Sequence, residues 1–158
     1  MVIPSWLVIG IVNFALLLGI NQLSSEERQW FFSLRRPKWL TFESLIPVIW
    51  IVIFICLIIS ASIVWDLNPW SRQSWFLMGR YSLVIALIAS YTKVMCLVRS
   101  LTVGTLIGAL GFVFGIWLAV LVFPVSIPAF MLLLPYLLWS PIGTYVTWAM
   151  IPLNRNSA

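Results

Sequence analysis

From Ser100 to Asn154 the chain runs for 55 residues without an Asp, Glu, Lys or Arg. A water-soluble domain cannot carry such a segment, because its outer surface needs charged positions at short intervals. The segment is also more than twice the roughly 20 residues with which one α-helix crosses about 30 Å of hydrocarbon. The chain must therefore turn back inside it, and Pro124 and Pro128 in Phe123-Pro-Val-Ser-Ile-Pro128 mark the place. Proline lacks the backbone donor a continuing helix requires and clashes with the preceding turn. The pair divides the segment into helices over about 101–123 and 128–151.

The same rule orders the rest of the chain. Val2 to Leu23 is uncharged, with Pro4 well placed to open a helix, and Ser44 to Trp65 is uncharged as well. Gln73 to Val98 holds Arg80 and Lys93 and is the least apolar run. Five spans result, over 2–23, 44–65, 73–98, 101–123 and 128–151, with a loop over 24–43. The mean hydropathy of +1.09 and only nine Lys and Arg plus four Asp and Glu leave no means of coating a soluble core. The expected fold class is an all-α, multi-pass integral membrane protein, one five-helix transmembrane bundle over 1–158. A cleaved signal peptide is not expected at the start, since the first basic residue is Arg28 and no Ala-x-Ala-like site follows the apolar run.

Basic residues give the orientation, because cytoplasmic loops carry the Lys and Arg excess. Arg28, Arg35, Arg36, Lys38, Lys93, Arg99 and Arg155 fall on one side, against Arg72 and Arg80 on the other. The first loop and the C-terminus are expected on the cytoplasmic side and the N-terminus outside. The +5 net charge is then a topology signal, with no nucleic-acid partner implied. Glu26 and Glu27 after Ser24-Ser25 read as the solvated first turn of a short interfacial helix with a serine N-cap, Glu43 as a similar cap, and Asp66 as the end of the second span.

Much chemistry is excluded by the inventory. There is no histidine, hence no imidazole ligand and no histidine-based triad, and two cysteines with four carboxylates show no metal spacing. No phosphate-binding glycine loop appears. Catalytic and metal residues are assigned to none, and Cys56 and Cys96 are expected as free, buried thiols. Transport by alternating access lacks the paired broken helices and intramembrane carboxylates it would use.

Two patterns remain. Gly104, Gly108, Gly111 and Gly115 recur at helical spacing and make one face free of side chains, suited either to a homodimer seam or to packing within the chain. Of ten tryptophans, Trp6, Trp30, Trp39, Trp65, Trp70, Trp75 and Trp148 fit membrane interfaces. Trp50 and Trp139 lie deep inside spans, where an indole N–H needs a partner or a pocket, and they are candidate walls of a cavity.

The loop sequence Trp30-Phe-Phe-Ser-Leu-Arg-Arg-Pro37-Lys-Trp39, the second-span pieces Pro47-Val-Ile-Trp50 and Val64-Trp65, and Pro135-Tyr136-Leu-Leu-Trp139 with Thr144-Tyr145 together resemble the translocator protein family. That family is also called the tryptophan-rich sensory proteins or peripheral benzodiazepine receptors. The resemblance covers the chain in order. It implies a five-helix bundle, often dimeric, whose cavity takes porphyrins, sterols or synthetic aromatic ligands, a porphyrin being ligand rather than cofactor. The ligand-binding residues implied are Trp50, Trp139, Trp39, Pro37, Pro47, Phe54, Tyr136 and Gly143, with the first loop as a lid. The function expected is a membrane receptor or sensor for a hydrophobic tetrapyrrole-type ligand. Two alternatives are light-dependent porphyrin breakdown, with the pigment supplying the excited state, and a ligand-free scaffold that recruits partners through the glycine face. Where the family usually carries Gln-x-x-x-Asn-Trp, this chain has Val84-Ile-Ala-Leu-Ile-Ala89, and the usual Leu-Asn-Tyr has become Val146-Thr-Trp148. A cavity more apolar than the family norm is expected. No Lys or Arg follows Tyr145 within the spacing of a cholesterol-recognition pattern. Arg35, Arg36 and Lys38 sit where they would meet the propionates of a tetrapyrrole, although topology alone accounts for them.

Overall fold

A computed structural model describes residues 4–154; the expected helix start at Val2 and the basic residue Arg155 lie outside the described residues. Its helices are α1 (Ser5–Ile20), α2 (Ser25–Ser33), α3 (Ile46–Leu67), α4 (Arg72–Val98), α5 (Leu101–Val122), α6 (Ile127–Met131) and α7 (Leu134–Met150), with single 3-10 turns at Glu43–Leu45 and Pro152–Asn154. Four segments, Glu43–Leu67, Arg72–Val98, Leu101–Val122 and Ile127–Asn154, are long and apolar enough to cross a membrane. α1, 16 residues long, reaches that length and apolarity only together with α2, the two being bent by 82° at their break; counted as one broken span, the pair makes a fifth.

The boundaries follow from local chemistry. The Ser24 hydroxyl accepts the Glu27 backbone N–H while the Glu27 carboxylate accepts that of Ser24, a closed capping box that starts α2 where expected. Ser71, Ser100 and Ser126 cap α4, α5 and α6 with the hydroxyl half of that arrangement alone, each accepting a backbone N–H of the first turn. Arg99, in the left-handed region at φ 52°, turns the chain between α4 and α5. The last span differs from the continuous 128–151 helix expected from sequence: it breaks at Leu132-Leu133 into α6 and α7. Pro135 accounts for the break, since it has no N–H to give the Met131 carbonyl and so cannot continue the ladder of α6, while it fits the first turn of α7.

Successive spans run antiparallel. One end of the bundle, the lid end, carries α2, the 24–43 segment, the α4–α5 junction and the end of α7; the far end carries the α3–α4 and α5–α6 turns. Mid-bundle, Ile53, Leu57 and Ala61 of α3 meet Leu77, Val84 and Ile85 of α4 and Leu118 and Val122 of α5. Ser60 is fully buried there, where its hydroxyl lies 2.7 Å from the Ala129 carbonyl and 2.6 Å from the Tyr81 hydroxyl, joining α3, α4 and α6. A second cluster, with Leu34, Leu40, Met95, Cys96 and Met150, packs the lid end. Both cysteines are free, Cys56 half-buried and Cys96 buried. Ile51, Ile55 and Ile59 of α3 and Leu106, Leu110 and Val113 of α5 face outward, as lipid-contacting surfaces do.

The glycine face of α5 is turned inward. A Cβ on Gly104 would stand 2.6 Å from the Met95 sulfur, one on Gly108 2.6 Å from the Thr144 hydroxyl, and one on Gly111 3.2 Å from the Tyr136 hydroxyl. One on Gly115 would enter the Tyr136 ring. The four glycines thus seat α4 and α7 of the same chain, and neither the homodimer seam nor the scaffold face that they suggested is open to a partner. Gly108→Leu should accordingly lower the melting temperature of the single chain without changing its oligomeric state, measured by thermal unfolding and light scattering in detergent; an overpacking cost of about 1–3 kcal/mol is expected.

Candidate functional site

Beneath the lid lies a cavity of about 320 Å³. Trp50 and Phe54, one turn apart on α3, form one wall, their rings 6.0 Å apart. The opposite wall is a single stripe of α7: Tyr136, Trp139, Ser140, Gly143, Thr144 and Thr147 all line the cavity, at spacings of three and four. Ile88, Tyr91, Thr92 and Met95 of α4 supply a third side and Gly108 and Gly111 of α5 the floor between them. From the lid come Phe31, Arg36, Leu40 and Glu43, and from the end of α1 Leu17 and Asn21.

Of the residues expected at the site, Trp50, Phe54, Tyr136, Trp139 and Gly143 meet around this cavity. Pro37, Trp39 and Pro47 do not line it. Pro37 is buried within the lid, Trp39 lies outside with its ring 5.8 Å from that of Tyr145, and Pro47 is exposed in the first turn of α3. The cavity carries polar groups along one side. Thr147, at the position where the resemblance gave up an Asn, shares a short hydrogen bond with the Tyr91 hydroxyl, and Thr144 donates to the Ser140 carbonyl at 2.9 Å. The stripe at three and four residues along α7 was the sequence signal for Ser140, Thr144 and Thr147. One polar atom is left over: the Trp139 indole nitrogen is buried and has no hydrogen-bond partner. Its ring meets Phe42 of the lid edge-on, centroids 6.3 Å apart.

The lid is fastened by polar ties. The Arg36 guanidinium donates to the carbonyls of Phe31 and Leu34 at 2.9 and 2.6 Å, pairs with Glu43 at 3.1 Å and covers the Phe31 ring. It holds the lid's own shape and is not free for a ligand propionate. Asn154 accepts the Arg35 N–H at 2.8 Å and donates to the Arg35 carbonyl at 3.0 Å, so the end of the last span clasps the lid backbone. Glu27, expected to be solvated, is buried and receives the Lys93 ammonium on both oxygens at 2.8 Å, joining α2 to α4. Arg99 and Glu26 make a looser, exposed pair beside it at 3.4 Å.

An all-helical, multi-pass membrane protein with an aromatic cavity closed by its first loop is the class these features define. Residues 6–153 match the TspO/MBR family, and the chain belongs to it. It is 26% identical over 151 residues to "Uncharacterized membrane protein YtaB" of Bacillus subtilis, covering 94% of this chain and 95% of that one. It is 24% identical over 149 residues to "Tryptophan-rich protein TspO" of Bacillus cereus, covering 92% and 96%.

The lid tie titrates. Hydrogen bonds from Lys93 first, then from the Ser24 backbone, hold the Glu27 carboxyl below its ordinary 4.5. With the folded value depressed, the tie's contribution is complete above pH 4.5 and is lost as pH falls through the folded value. The protection factors of the α2 amides, exchange rates corrected for their intrinsic pH dependence, should therefore be high and flat above that pH and fall below it, and Glu27→Gln should show low protection throughout.

Proposed function

We propose that this chain is a membrane receptor for a flat, apolar ligand of the tetrapyrrole class, held between Trp50 and Trp139. The observation that carries the reading is the Trp139 indole N–H, a buried donor that the fold leaves without a partner beside a cavity walled mostly by aromatic and aliphatic side chains. Buried donors are almost always satisfied, and a ligand acceptor would satisfy this one. Tyr91, Thr92 and Thr144 offer further polar contacts along one side of the guest. At about 320 Å³ the cavity is at the lower end of the range for small-molecule sites, roughly 300–1,000 Å³, so a ligand of porphyrin size displaces the lid as it enters.

In this reading the lid end faces the cytoplasm of a bacterial membrane, because Arg28, Arg35, Arg36, Lys38, Lys93 and Arg99 all belong to it. Dimerisation, which the family resemblance implies, would use a lipid-facing surface rather than the covered glycines.

Titration of the purified protein with protoporphyrin IX in detergent tests the proposal, followed by tryptophan quenching and independently by the pigment's absorbance band. Saturable binding is expected for the wild type. Replacing both Trp50 and Trp139 with Phe should weaken it about tenfold, the loss expected of two aromatic contacts worth about 0.5–1.5 kcal/mol each. Binding that is no stronger than partition into empty micelles, or that is the same in the double variant, would exclude this site.

A further inference from the structure

Arg80 is a cation inside the span of α4, and its surroundings do not neutralise it. Among the described residues the ion pairs are Arg36–Glu43, Lys93–Glu27 and Arg99–Glu26, all at the lid end. The remaining carboxylate, Asp66, accepts the Ser5 hydroxyl at 2.9 Å. The Arg80 guanidinium instead lies 3.2 Å from the centroid of the Phe76 ring and 4.6 Å from that of Trp117, between α4 and α5. Its one hydrogen bond is a long one, 3.4 Å, to the Phe76 carbonyl, and its Nε is buried without a partner. Phe76 and Trp117 are themselves 48% and 41% exposed, on the lipid-facing side of the bundle.

Depth and direction indicate what completes the site. The 27 residues of α4 span roughly 40 Å, about 10 Å more than the hydrocarbon layer, so some 5 Å overhangs each end if the excess is shared. Arg80 then starts about 7 Å below the far-end boundary, 12 Å along the helix from Arg72. Its side chain rises one turn, about 6 Å, to the level of Phe76, which brings the guanidinium to about the hydrocarbon boundary, directly beneath the lipid phosphates and within their reach. The two rings hold the planar group in place and exclude water from its faces, leaving N–H edges for an acceptor.

We propose that Arg80, clamped between Phe76 and Trp117, is a binding site for the phosphate of an anionic glycerophospholipid in the leaflet at the far end of the bundle. The site is separate from the cavity, and it stands whether or not the cavity takes a tetrapyrrole. A net anionic headgroup is favoured over a zwitterionic one because no carboxylate in the site would receive a lipid ammonium.

Delipidated full-length protein in a neutral detergent, titrated with phosphatidylglycerol and followed by native mass spectrometry and melting temperature, tests this. Wild type should bind one tightly held phosphatidylglycerol and melt higher with it. Arg80→Gln should lose about tenfold in affinity and most of the lipid-induced shift, yet without lipid melt no lower than wild type, since an unpaired cation has gone. Arg72→Gln, an exposed cation at the same surface, should bind as wild type does. If Arg80→Gln does not fold, Arg80→Lys, which keeps the charge without the planar fork, should still show weaker binding. Equal binding by Arg80→Gln or, where that variant does not fold, by Arg80→Lys would overturn the proposal. So would an equal loss in Arg72→Gln, the same stabilisation from diacylglycerol or inorganic phosphate, or a change in oligomeric state alone.

Discussion

The distance at which α5 stands from α4 and α7 determines the rest of this molecule. In lipid no hydrophobic force gathers helices, and close van der Waals contact does much of that work. Here the contact is made by backbone: the Tyr136 ring lies on Gly115, its hydroxyl near Gly111, the Thr144 hydroxyl on Gly108 and the Met95 sulfur on Gly104. Tyr136 is the first residue of the α7 stripe that walls the cavity, and Thr144 belongs to the same stripe. The cavity is therefore held open by large side chains of α7 resting on the glycines of α5, while the floor between them stays unfilled.

The four long passes and their antiparallel order were legible because charge and proline are expensive in hydrocarbon and so appear mostly where the chain leaves it. Trp50 and Trp139 were legible for a related reason, an indole being hard to explain deep in a span without a pocket. The inward turn of the glycine face was not, since a bare helix face suits a neighbouring helix of any chain. The break before Pro135 was missed because apolar composition continues through it. Trp117 gave no signal at all: its role depends on Arg80, which lies on another helix, and the pairing exists only once α4 and α5 are packed.

The lid shows the limit most sharply. Ser24-Ser25 ahead of Glu26 and Glu27 announces a serine-capped helix start, and the structure closes it as a capping box between Ser24 and Glu27. The same Glu27 then reaches Lys93 across 66 residues of sequence, and Arg35 meets Asn154 across 119. Such contacts are set by the fold, and no local pattern encodes them. They also divide the labour among the basic residues of the lid: Arg36 and the Arg35 backbone shape it, while Arg28 and Lys38 stay exposed.

Asn154 pairs with both the N–H and the carbonyl of Arg35, which is how one β-strand residue binds the residue opposite it. A single side chain thus copies a sheet partner in an otherwise helical molecule, and the end of the last span becomes the hasp of the lid. A bulky group inserted directly after Asn154 would then pull on the closure of the cavity itself.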